Sequence, residues 1–98
     1  MEGLVSRHEY PANIEDDAAA RAVGFGGEML LLICTRAHPP GRPLAISVQL
    51  PESVLALQGK SQGSKLRADN RFDVRVKLSS VRREQRAALE AAFASAPG

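Results

Sequence analysis

His8 and His38 are the only histidines of this 98-residue chain, and Cys34 is its only cysteine. A transition-metal centre would need all three to converge with a carboxylate, since such ions are held by nitrogen, sulfur and oxygen donors together. Their spacing does not bring them together, so the expectation is no metal site. Cys34 follows the apolar run Met29–Ile33 and reads as a buried, inert thiol. A lone cysteine also forms no internal disulfide. Nucleophilic catalysis would need a Ser or Cys beside a histidine with an acid to orient it, and no spacing supports that. Glu15-Asp16-Asp17 lacks the alternating oxygen ligands and glycine of a calcium loop and reads as a solvated turn. Gly24-Phe25-Gly26-Gly27 lacks the Lys-Ser/Thr of a phosphate loop and reads as a tight hairpin turn. The expectation is a protein that is not an enzyme and carries no cofactor.

Charge adds one feature. The net charge is +2, but it is uneven. Residues 1–50 hold four Arg and six acids, whereas residues 51–98 hold nine Lys/Arg and five acids. A basic C-terminal half favours an anionic partner. Arg71, Arg75 and Lys77 line one strand face, with Lys60 and Lys65 beside them if their strands pair, and Arg82, Arg83 and Arg86 follow. Such a surface could bind nucleic acid, but Tyr10 is the only surface aromatic suited to base stacking. An ordinary solvated face is the preferred reading.

These residues need elements to hold them. The chain forms one domain, 1–98, with few aromatics, so the core must be mostly Leu, Val, Ile and Ala. Residues 71–78 alternate strictly, with Phe72, Val74, Val76 and Leu78 on one face and Arg71, Asp73, Arg75 and Lys77 on the other. That period of two marks a strand with one dry and one wet face. Four more strands are expected over Leu4–Ile14, Ala19–Phe25, Met29–Thr35 and Leu44–Leu50, and a fifth from Val54 to Lys60. The fifth runs on to Lys65 after a bend at Gly59 or Gly63. Pro11 puts the first strand at an edge or a bulge. The continuous apolar run of the third suggests burial on both faces. Arg36 to Pro43, with three prolines and a glycine, is a loop. A helix over about 81–95 places Val81, Ala88, Leu89, Ala92 and Phe93 on one face, capped by Ser79 or Ser80. Arg82, Arg83, Arg86 and Glu90 face water. Leu89 and Phe93 would plug a barrel mouth or cover a sheet. No stretch reaches the about 20 apolar residues that span a bilayer, and the N-terminus has no secretory pattern. A cytoplasmic location without membrane contact is expected.

From about Val23 to Phe93 the chain resembles a PilZ domain. The matching stretches are Val23 to Leu31, Gly41-Arg42-Pro43-Leu44 running into Leu50-Pro51, Leu57-Gln58-Gly59-Lys60, Arg71 to Val76, and Arg83-Glu84-Gln85-Arg86-Ala87-Ala88-Leu89. The resemblance implies an all-β fold with one helix: a small six-stranded antiparallel β-barrel with a C-terminal α-helix. The family's usual ligand is cyclic di-GMP. An N-terminal Arg-x-x-x-Arg grips phosphates and stacks on guanine. A later Asp/Asn-x-Ser-x-x-Gly reads guanine edges. This chain departs from both motifs. With Gly27 at the final glycine, Ala22 stands at the acidic position and Gly24 at the serine position. Arg7 is followed four residues later by Pro11 instead of a second arginine, and reads as a surface residue of the first strand.

The resemblance therefore implies a regulatory adaptor of bacterial signalling, governing motility, pilus or surface behaviour, that acts through another protein or a second copy of itself. Cyclic di-GMP binding is expected to be weak or absent. Two alternatives remain open. One is a genuine cyclic di-GMP receptor using Arg7, Arg21 and Gly27. The other is a nucleic-acid-binding barrel.

Overall fold

In a computed structural model, which describes residues 9–14, 17–51 and 53–93, alternation resolves into six strands and one helix. The strands are β1 Tyr10–Ile14, β2 Asp17–Gly26, β3 Met29–Cys34, β4 Pro43–Gln49, β5 Val54–Leu66 and β6 Phe72–Leu78; the helix is α1 Arg83–Phe93. All pairings are antiparallel, and the sheet closes as a barrel in the order β1-β2-β3-β6-β5-β4. This is the small six-stranded barrel with a C-terminal helix expected from the sequence.

Closure needs bends, and bulges supply them. The ladder shifts where β2 carries an extra residue opposite Asn13 of β1, at Val23 in β2 against β3, and at Gln62-Gly63 in β5. The bend in β5 is at Gly63, whose φ of 125° suits glycine. Gly59 serves a different end. A Cβ built there would lie 2.5 Å from the Lys77 carbonyl oxygen and 2.7 Å from Val76 Cγ1, so only glycine lets β5 cross β6 so closely. Pro11 does not lie on a free edge. β1 is paired on both sides, and its pairing with β4 begins at Ala12, one residue beyond the missing donor.

Inward positions build the core. Leu30, Leu32, Val48, Val74 and Val76 are fully buried, with Ala12, Ala20 and Ala22 keeping the β1–β2 side narrow. The strand directions define two mouths. Tyr10, Gly26, Met29, Gln49, Val54 and Leu78 end at one; Ile14, Asp17, Cys34, Pro43, Leu66 and Phe72 end at the other.

The helix closes the first mouth. Leu89 is wholly buried in the core, and Val81, Ala88 and Phe93 pack around it. Gln85 Nε2 donates to the Ala56 carbonyl at 3.1 Å, and Tyr10 Oη donates to the Ala92 carbonyl at 2.9 Å. The Tyr10 and Phe93 rings meet edge to face, with centroids 5.2 Å apart. The helix cap differs from expectation. Ser79 Oγ donates to the Gln58 carbonyl, while Gln85 Oε1 accepts the Arg82 N–H at 3.0 Å, as an N3 side chain does in a capping box. Residues 81–82 are therefore not helical, and residues 94–95 lie outside the described residues.

Candidate functional site

The residues that would take a dinucleotide are dispersed. Arg7 lies outside the described residues. Gly27 forms the β2–β3 turn with φ 62°, and its carbonyl accepts from Arg86 Nη1 at 2.8 Å. Arg86 Nη2 also lies 3.9 Å from Glu28 Oε2, so Arg86 ties the helix to the turn and does not simply face water. Arg21 is six residues earlier, about 20 Å along an extended strand, and its guanidinium is 3.8 Å from the Glu9 carboxylate. Ala22 is fully buried against the core. A Cβ at Gly24 would lie 3.2 Å from Leu31 Cδ1. The base-reading positions thus hold one inward methyl group and one glycine over which Leu31 leans.

The outer face of the same strands has another character. β3 is not buried on both faces, because no second layer covers its outer side among the described residues. Met29 and Ile33 are half-buried there and Leu31 is 39% exposed. Together with Val23 and Gly24 they line an open groove of about 720 Å³, to which Phe25, Phe93, Glu9 and Arg67 also contribute. β6 flanks this stripe: Met29 stands opposite Lys77, Leu31 opposite Arg75 and Ile33 opposite Asp73. One strand further, Lys60 stands directly opposite Lys77, a like-charge pairing that is unfavourable. Asp73 is taken by Arg67 Nη1 at 2.8 Å. Among the described residues, Lys60, Arg75 and Lys77 make no ion pair. An apolar stripe bordered by uncompensated cations is an arrangement suited to docking.

A third grouping lies at the mouth opposite the helix. Asp17, expected in a solvated turn, is 3% exposed, and His38 and Cys34 are buried beside it. One ligand atom from each of the three lies within 4.8 Å of the others. The loop that carries His38 is pinned to the bulge of β5. Ser61 Oγ and Ser64 Oγ donate to the His38 carbonyl at 2.7 and 2.8 Å, and the His38 N–H donates to Ser64 Oγ at 2.6 Å. Asp17 Oδ1 and Oδ2 accept from the N–H groups of Ala19 and Thr35. Burial, and then the charge of Asp17, push the Cys34 thiol up from the ordinary 9.0 to about 12. A thiol held protonated and away from solvent is a poor nucleophile at neutral pH. Sequence reasoning missed the grouping because the three positions share no spacing until the loop folds back. The only signal was the Cys34-x-x-x-His38 interval.

No protein-family model, curated protein or solved structure matches the chain. Among the described residues no helix is long and apolar enough to cross a membrane.

Proposed function

We propose that the chain is a non-catalytic, PilZ-like regulatory adaptor of bacterial signalling, acting in the cytoplasm on motility, pilus or surface behaviour by contact with another protein. One observation carries the reading: the open apolar stripe Met29–Leu31–Ile33 with Arg75, Lys77 and Lys60 beside it, none of which makes an ion pair among the described residues. A partner segment presenting apolar side chains flanked by carboxylates would cover the stripe and neutralise those cations. Weak or absent cyclic di-GMP binding is the second half of the proposal. Ala22 and Gly24 offer no polar group, the Gly27 carbonyl is engaged, and Arg21 faces Glu9. Each charge-assisted hydrogen bond is worth roughly 1.5–3 kcal/mol. Loss of two or three weakens binding by about 10³-fold or more.

The Lys60–Lys77 pairing also favours a second reading, an anionic polymer such as single-stranded nucleic acid laid over β5 and β6. The aromatic residues stand against it, since none lies on that face and Tyr10 is engaged with the helix.

Affinity capture separates the readings. Immobilised wild type should retain a defined protein from lysate of the source cells, and Leu31→Asp should lose it with no change in unfolding temperature. Retention of the same proteins by both forms would refute docking at the stripe. Retention of nucleic acid, released steeply by salt, would support the second reading.

A further inference from the structure

We propose that Asp17, Cys34 and His38 form a binding site for a divalent transition metal, best matched to zinc, at the barrel mouth opposite the helix. The donor set is one carboxylate oxygen, one sulfur and one imidazole nitrogen, a borderline mixture that suits zinc and excludes calcium and magnesium, which take oxygen ligands. The three ligand atoms lie within 4.8 Å of one another. Tetrahedral ligands about 2.0–2.3 Å from zinc stand about 3.3–3.8 Å apart, so a contraction on the order of 1 Å brings them into coordination.

A second observation points to a ligand independently. His38, a residue 4% exposed, brings a ring nitrogen into this cluster, and its Nε2 is buried with no hydrogen-bond partner among the described residues. Buried polar atoms are rarely left so. The surroundings are also those of a prepared site. The His38 backbone is fixed by Ser61 and Ser64, independently of its ring. Both Asp17 oxygens accept backbone N–H groups and keep further lone pairs free, which is the outer-shell support that ligating carboxylates receive.

Charge closes the case. A thiolate and a carboxylate neutralise a divalent cation, so the loaded site buries no net charge. The Cys34 proton leaves to solvent on coordination. The metal would clasp the start of β2, the end of β3 and the 35–42 loop. Small domains poor in core aromatics gain from such a staple.

The test uses the untagged full chain, stripped with a chelator under reducing conditions and titrated with cobalt(II). The expected result is a thiolate-to-cobalt charge-transfer band that saturates at one equivalent and is bleached by one equivalent of zinc. His38→Gln and Asp17→Asn should weaken binding by at least the roughly 10–100-fold that loss of an outer partner costs. Absence of the band in folded wild type overturns the proposal. So does a His38→Gln or Asp17→Asn variant that is folded by circular dichroism and binds as wild type does. X-ray absorption on the zinc-loaded wild type needs no variant. One sulfur with nitrogen and oxygen neighbours is expected, and a shell without sulfur overturns the assignment.

Discussion

Cys34 makes a quantitative demand on stability. Its thiol is fully buried, and its pKa is raised from 9.0 to about 12. The unfolded chain gives up this proton near the ordinary value, whereas the folded chain holds it. Below about pH 9 the thiol is neutral in both states, and its contribution is complete. As pH climbs from about 9 towards 12, only the unfolded state ionises, so stability falls with pH. Each pH unit in that window costs about 1.4 kcal/mol. Between about pH 8 and about pH 10.5 the loss should be about 2 kcal/mol. Urea unfolding followed by far-ultraviolet circular dichroism measures it, with chelator present so that no metal holds a thiolate. The Cys34→Ala variant is the control, because tyrosine and lysine titrations are common to both and cancel in the difference. Wild type should lose about 2 kcal/mol more than Cys34→Ala over this interval. An equal loss in both would show that the thiol is not held neutral by burial, and the account of that barrel mouth would be wrong.

Three further outcomes follow from packing. Gly59→Ala should destabilise the fold by about 2–3 kcal/mol, since the new methyl meets the Lys77 carbonyl at 2.5 Å; an unchanged urea midpoint would contradict the close crossing. Tyr10→Phe keeps the ring contact with Phe93 but loses the bond to the Ala92 carbonyl, so calorimetry should show a cost of about 1 kcal/mol. Arg86→Ala removes the clasp on the Gly27 carbonyl, and amide exchange in the 26–29 turn should accelerate while the β4–β5 amides stay protected.

Much of this architecture is legible in period-two alternation. Phe72 to Leu78 reads as one wet and one dry face, and it is so, because each outward charge has solvent beside it and each inward residue meets the core. The bend in β5 reads as Gly59 or Gly63 in the sequence, and it falls at Gly63, where a positive φ favours glycine. The candidate site is less legible, for physical reasons. The run Met29 to Thr35 carries apolar residues on both faces, and composition cannot say whether the second face meets a core or a groove. Ser79 looks like a helix cap, yet the Gln58 carbonyl holds its hydroxyl and Gln85 supplies the cap. Asp17 sits in an acidic cluster that suggests water, but two backbone donors draw it inside. His38 depends on Ser61 and Ser64, more than twenty residues away along the chain. Such convergence is set by topology, which no local spacing carries.

The proposal that the scaffold has kept its shape without its grip on a dinucleotide is open to one direct measurement. Isothermal titration of the purified chain with cyclic di-GMP at low salt should give no binding heat beyond dilution into the high micromolar range. Saturable heat with a low-micromolar dissociation constant, abolished by Arg21→Ala, would contradict it.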